Sequence, residues 1–272
     1  MSDGSRIAIL GVGNLGRALA TGWVRARLFT AAEITLTRRD STKLEELAQS
    51  GHPVGSDNAS AVRDSHVIVL AVQPQQLRAL LEEIRGALDA GRHRLISVVS
   101  GVSISQIRDA LGATVPVVRA MPNTAVSIGE SMTCLCSDDS DSAALAEAAE
   151  LFEAVGRTLV IEEEMMVPAT ALCACGVAFF LRCVRAASQG GIEIGFHPEE
   201  ALLLAAQTAK GAAALALKGD SHPEGEIDRV TTPRGCTIAG LNEMEHQGLS
   251  SAMIRGITVS AKAAEGLYRS SD

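Results

Sequence analysis

The chain has 272 residues, 47% of them apolar and only 3% aromatic, with a formal net charge of -8. That length accommodates two domains with cores of their own, and that apolar fraction excludes a disordered chain. No Lys/Arg block is present to grip a phosphate backbone, so nucleic acid is not an expected partner.

The start of the chain lacks a basic segment followed by an apolar one, so no secretory leader is expected there. The longest uncharged run, residues 165–181, contains Pro168, Thr170 and Gly176. It falls short of the roughly 20 apolar residues of a membrane span, so a buried helix is expected and a membrane partner is not. The cysteines stand as Cys134/Cys136, Cys173/Cys175, Cys183 and Cys236, and neither pair has the spacing of a zinc knuckle. Positions i and i+2 of a helix point about 200° apart, so Cys173 and Cys175 do not share a metal. No metal site is expected, and the thiols read as the reduced cysteines of a cytoplasmic protein.

In chain order, residues 6–10 read as a short apolar strand and 17–27 as a helix, with Gly11-Val12-Gly13-Asn14-Leu15-Gly16 between them. Residues 33–37 alternate as a second strand, and 43–50 form a short helix. The run VIVLAV at 67–72 suits a strand covered on both faces. Helix 77–88, strand 95–99, helix 104–111 and strand 115–119 follow, then one more strand at 131–135 and a helix over 141–155. Alternation of strand and helix predicts a parallel, doubly wound α/β sheet. Beyond about residue 164 the strands stop. Pro168 opens a helix over 168–189, Pro198 another over 198–217, a third starts near Thr237 and a fourth covers 250–268. The expected domains are therefore 1–164, a Rossmann-like unit, and 165–272, an all-helical one. Leu202, Leu203, Leu204, Ala205 and Ala206 are consecutive, and a helix apolar all round needs cover. The expected cover is a second subunit, making a homodimer through the helical domain.

Gly11, Gly13 and Gly16 have dinucleotide spacing between a strand and a helix. Gly11 permits the tight turn, Gly13 the approach of backbone to pyrophosphate, and Gly16 close packing of helix on strand; Asn14 and Leu15 then lie at the helix N-terminus, which favours the anion. At the tip of the second strand, NAD sites carry an acid, whereas this chain reads Thr37-Arg38-Arg39-Asp40. Guanidinium groups pair with a 2′-phosphate that a carboxylate would repel, so Thr37, Arg38 and Arg39 point to NADPH, with Asp40 leaving NADH open.

Three further segments, Ala71-Val72-Gln73-Pro74, Arg119-Ala120-Met121-Pro122-Asn123-Thr124-Ala125, and the run from Val230 through Thr232-Pro233-Arg234-Gly235-Cys236-Thr237-Ile238 to Leu241, complete a pattern. With the glycine turn, they make the chain resemble the pyrroline-5-carboxylate reductase family over nearly its whole length. The resemblance implies a Rossmann domain followed by a helical domain that interlocks into a dimer, with higher assembly open. It also implies reduction of the C=N bond of 1-pyrroline-5-carboxylate to L-proline with NADPH or NADH. It places Asn58 near the adenosine ribose, Ala71, Val72, Gln73 and Pro74 along the cofactor, and Met121 and Asn123 near the nicotinamide. Gly235, Cys236 and Thr237 would hold the substrate carboxylate, and Asp220 matches a position that is usually Glu.

The departures lie mostly in the second half: Gln73 replaces a Lys, Cys173-Ala174-Cys175-Gly176-Val177-Ala178-Phe179 replaces Ser-Gly-Ser-Gly-Pro-Ala-Tyr, and Pro233-Arg234-Gly235 replaces Pro-Gly-Gly. Arg234 has two open readings, a carboxylate ligand or a solvent-facing loop residue. Thr237 reads as a substrate ligand, a helix cap, or both. A protonated cyclic imine needs little further acid, which suits a site poor in titratable groups. A hydroxyacid dehydrogenase of the two-domain type needs a Lys on the first long helix of the second domain, and no Lys stands between Lys43 and Lys210; Arg does not release its proton. Two alternatives remain open, a reductase of another cyclic imine and a non-catalytic NADPH-binding regulatory protein.

Overall fold

The structure, a computed structural model, describes residues 6–112, 115–138, 142–219 and 221–265. Its sheet has eight strands in the order β3-β2-β1-β4-β5-β6-β7-β8. These are β1 Ile7–Leu10, β2 Ile34–Thr37, β3 Val54–Gly55, β4 Val67–Leu70, β5 Arg94–Ser97, β6 Val117–Met121, β7 Ser131–Cys136 and β8 Gly156–Val160. All neighbours pair in parallel except β6 and β7, where Met121 stands opposite Cys134. The expectation of a doubly wound, parallel-dominated sheet holds, with that one reversed pair at β7. β3 and β8 were not expected, because two residues and a Gly-Arg-Thr start carry almost no alternation.

Successive strand residues serve opposite faces. Ile7, Ile9, Val67 and Val69 join one core with α1 (Asn14–Arg25) and α6 (Ser142–Glu153). Ala8, Leu10, Ile68 and Leu70 join the other with α3 (Asn58–Arg63), α4 (Pro74–Ile84) and α5 (Ile104–Leu111). A short α2 (Glu45–Gln49) follows a 3-10 turn at Ser41–Leu44. The first core is anchored by Trp23, whose Nε1 donates to the Leu151 carbonyl at 2.9 Å and whose ring meets Phe29 and Phe152 edge-on. Truncating such a residue to Ala costs about 3–5 kcal/mol.

Packing divides the chain into one unit of Met1–Cys175 with Ser260–Asp272, and a second of Gly176–Val259. The helical half comprises α7 (Met166–Ala169), a π-turn at Thr170–Ala174, α8 (Gly176–Glu193), α9 (Pro198–Lys218), α10 (Pro223–Val230), α11 (Cys236–His246) and α12 (Leu249–Glu265). Residues 266–268 of the expected last helix lie outside the described residues. Within the second unit α8 and α9 approach closely, because Gly191 leaves room that a Cβ would fill at 3.1 Å from the Cβ of Ala201.

The expectation of a buried helix over 165–181 needs correction. Met166, Ala169 and Ala171 are buried in the first unit, but Phe180 and Leu181 are 60% and 61% exposed. The helical segment Glu163–Glu193 contains an 18-residue window, of mean hydropathy 1.8, long and apolar enough by length and composition to cross a membrane. Arg182 and Arg185 lie in its second half. What the single chain leaves bare on α8, α9 and the turn between them includes Phe180, Ile194 and Leu203.

Candidate active site

The turn after β1 is shaped by its glycines. Gly11 takes φ +84°, and a Cβ there would lie 2.1 Å from Val72 Cγ1. The N–H groups of Gly11 and Val12 both donate to the Thr37 carbonyl, at 3.0 and 2.9 Å. Around Gly13 an added Cβ would meet nothing within 4 Å, so backbone is open to a ligand on that side. Gly16 packs on the strand, its notional Cβ 3.3 Å from Ile9 Cγ2. Gly11 thus makes a tight turn and Gly16 a close helix–strand contact, while Gly13 is left open.

Helix α1 starts at Gly13 without a side-chain cap. The first helical N–H to find an intrahelical carbonyl is that of Arg17, on Gly13 O at 3.0 Å. The N–H groups of Asn14, Leu15 and Gly16 precede it and remain as donors for an anion.

A cleft of about 810 Å³ opens beside this turn, lined among others by Gly13, Arg38, Arg39, Asn58, Val72 and Gln73. Gly11 and Ala71 also line it. Its far rim is basic. Arg38 donates from Nη1 to Val12 O at 2.8 Å, and Arg39 is exposed. Lys43, which sequence reading missed, joins them and lies 3.6 Å from the Asp40 carboxylate. The Thr42 hydroxyl, and then Lys43, hold the Asp40 carboxyl below its usual range, so that acid stays ionised and locally paired. Glu83 is a second missed wall residue: both its oxygens accept from Asn58 Nδ2, at 3.1 and 3.0 Å. Asn58 Oδ1 accepts in turn from the Thr37 hydroxyl at 2.6 Å. Thr37 is only 1% exposed, so its hydroxyl sets Asn58 and does not itself face the cleft. Pro74 opens α4 at its N-terminus behind the wall. An open Gly13, free helix-end donors and a rim with Arg39 and Lys43 fit a dinucleotide with a 2′-phosphate.

Met121 and Asn123 are buried at the end of β6, outside this cleft wall. Asn123 Oδ1 accepts from Ala125 N at 3.0 Å, and its Nδ2 donates to the Cys173 carbonyl at 3.3 Å. The π-turn holding Cys173 falls in the segment that departs most from the family pattern. Such turns arise where one extra residue is fitted into a helix, and they recur at functional sites.

In the second unit, Gly235 is the N-cap of α11, with Cys236 and Thr237 in its first turn. Arg234 has φ 61°, the left-handed region that favours glycine. That explains why the family pattern carries Gly at the matching position and marks Arg234 as a strained, exposed loop residue. Gly235 is held close: its notional Cβ would lie 2.5 Å from Thr232 Oγ1. Asp220 lies outside the described residues. Among the described residues no group of three His, Cys, Asp or Glu side chains is placed to hold a metal ion.

Comparison with known proteins matches residues 163–267 to the family described as pyrroline-5-carboxylate reductase dimerisation. Residues 6–101 match NADP oxidoreductase coenzyme F420-dependent. Pyrroline-5-carboxylate reductase 1 of Dictyostelium discoideum is 50% identical over 96% of this chain, and the chain spans only 50% of that relative's length. Pyrroline-5-carboxylate reductase 2 of the same organism is 47% identical, over 96% of this chain and 93% of the relative. The solved pyrroline-5-carboxylate reductase of Coxiella burnetii superposes with a TM-score of 0.86 at 28% identity, covering 98% of this chain and 100% of that one. The Plasmodium falciparum pyrroline carboxylate reductase with NADP bound gives 0.87 over 97% of this chain and 98% of that one, at 23% identity, a likeness of fold.

Proposed function

The chain belongs to the pyrroline-5-carboxylate reductase family, and on that premise we propose that it reduces the C=N bond of 1-pyrroline-5-carboxylate to L-proline with NADPH. The observation that carries the reading is the β1–α1 turn, where Gly13 faces open space beside uncapped helix-end donors, in a chain with this kinship.

The protein's share of the chemistry is binding, orientation and charge. When bound, a dihydronicotinamide supplies the hydride. Backbone N–H groups at Asn14, Leu15 and Gly16 hold the pyrophosphate, and Arg39 and Lys43 meet the 2′-phosphate. Asn58, fixed by Thr37 and Glu83, orients toward the adenosine ribose. Ala71, Val72, Gln73 and Pro74 line the cofactor's path, and Met121 and Asn123 stand at its nicotinamide end. At the start of α11, the N–H groups of Gly235, Cys236 and Thr237 and the Thr237 hydroxyl hold the substrate carboxylate. The imine nitrogen arrives protonated, so no side chain has to release a proton to it. Arg234 is a loop residue that approaches the carboxylate from solvent.

The helical segment forms a homodimer. Its support is the exposure of Phe180, Ile194, Leu203 and Leu217, apolar side chains that water would otherwise cover. The six free thiols suit a reducing compartment such as the cytoplasm.

The test measures NADPH oxidation with pyrroline-5-carboxylate, beside piperideine carboxylate and 2-hydroxy acids. Turnover of the five-membered imine well above the others is expected. Preference for the six-membered imine would move the assignment to another cyclic imine, and NADPH binding with no turnover would mean a regulatory protein. A monomer by light scattering at micromolar concentration would overturn the dimer.

A further inference from the structure

Two thiols far apart in sequence meet beside Asn123. Cys134 Sγ on β7 lies 3.9 Å from Cys173 Sγ in the π-turn. Cys134 is 4% exposed, whereas Cys173 is half-buried and the more exposed of the two. We propose that Cys134 and Cys173 form a reversible disulfide, made by peroxide that reaches Cys173 first.

The geometry requires little. A disulfide has sulfurs about 2.05 Å apart, so an approach on the order of 2 Å remains, supplied by side-chain torsion and a small shift of the π-turn. The two thiols share a hydrogen bond in which either sulfur can donate, and with Cys134 as donor it draws Cys173 down to about 7. The same bond, together with burial, pushes Cys134 up. Cys173 is thus the nucleophile and Cys134 the resolving thiol. Cys136, two residues along β7, is pushed up to about 11 by burial and stays a thiol.

The chemistry balances with hydrogen peroxide as the oxidant. The Cys173 thiolate attacks one peroxide oxygen, the O–O bond breaks, and the departing hydroxide takes a proton to become water, leaving a sulfenic acid. The Cys134 sulfur then attacks Cys173 sulfur, the S–O bond breaks, and the Cys134 proton leaves with the hydroxide as a second water. Two thiols are oxidised by two electrons and one peroxide is reduced.

The bridge acts on the end of β6. Cys134 stands opposite Met121 in the β6/β7 register, and the Cys173 carbonyl holds the Asn123 amide. Closing it moves the residues assigned to the nicotinamide end and leaves the glycine turn untouched. This consequence rests on the proposed reductase function; the bridge itself does not.

The test treats the intact protein with hydrogen peroxide and maps peptides by mass spectrometry without reduction. A Cys134–Cys173 linked peptide is expected, lost on adding dithiothreitol and forming faster as pH rises from about 6 to about 8 with the Cys173 thiolate. Reductase kcat should fall at least tenfold, with NADPH affinity within twofold. Cys173→Ser should keep basal activity and resist peroxide. Cys134→Ala, a second variant should the first not fold, should stop at a dimedone-labelled Cys173 sulfenic acid. If Cys134 and Cys173 both still alkylate while exposed Cys236 is oxidised, the disulfide is overturned. A linked peptide with unchanged kcat would overturn its action on β6. A linked peptide in a protein that reduces no imine would uphold the bridge and overturn the proposed function instead.

Discussion

Arg38 donates through Nη1 to the carbonyl oxygen of Val12 at 2.8 Å, so the first arginine after β2 ties that strand's tip to the glycine turn. Arg38 and Arg39, adjacent in sequence, therefore do different work. Arg38→Ala should weaken NADH and NADPH alike, because the turn that both cofactors share loses its brace. Arg39→Ala should raise Kd for NADPH about tenfold, or about 1.4 kcal/mol, and leave NADH within twofold. Titration calorimetry with 2′,5′-ADP and 5′-AMP checks both; equal losses for the two ligands in Arg39→Ala would remove it from the phosphate site.

The glycines separate folding from binding. Gly11→Ala combines φ +84° with a 2.1 Å contact on Val72, so it should destabilise the protein by about 3 kcal/mol or more. Gly13→Ala meets no protein atom within 4 Å, so its urea midpoint should stay near wild type while NADPH binding falls at least tenfold. A Gly13→Ala protein that binds NADPH normally would place the pyrophosphate elsewhere.

At the start of α11, Thr237→Ala should lower kcat/KM at least tenfold, about 1.4 kcal/mol. Arg234→Gly relieves a left-handed arginine, a gain offset by the greater unfolded-state freedom of glycine, so stability should change by no more than about 1 kcal/mol. Steady-state kinetics on Arg234→Gly then show whether its charge serves the carboxylate: a rise in KM without loss of kcat is the expected sign.

Stability should depend on His93. Burial, then the nearby charge of Arg92, lowers its pKa in the folded chain. The unfolded chain thus binds the proton more readily, and stability is full above the ordinary histidine range. It falls as pH drops through about 6.5 toward the lower folded value. Chemical denaturation at mildly acidic and mildly alkaline pH should show this loss in wild type and a smaller one in His93→Gln. An equal loss in both would assign the effect to another group.

Local pattern was enough for much of the molecule. Glycine spacing marked the turn, where Gly11 takes a left-handed φ and Gly16 packs on Ile9 of the same strand–loop–helix unit, although the side chain that excludes a Cβ at Gly11 is the distant Val72. The VIVLAV run announced a strand covered on both faces, and Ile68 and Val69 do enter opposite cores. Helix α5 was found at its true ends, since Ser103 and Gln106 cap it reciprocally within four residues. Family kinship was legible because whole segments, not single residues, keep their order.

Tertiary structure decided what depends on separation. Glu83 reaches Asn58 across 25 residues, and Cys134 meets Cys173 across 39, distances over which no periodicity carries information. Lys43 joins the basic rim only because the 3-10 turn at Ser41–Leu44 folds the chain back beside the β2 tip. The direction of β7 was equally hidden, since side chains alternate the same way in parallel and antiparallel strands. Thr37 shows the difference in one residue. Its place at the end of β2 was readable, but burial, fixed by the neighbours of the folded sheet, makes it the support of Asn58 and not a ligand of the cofactor.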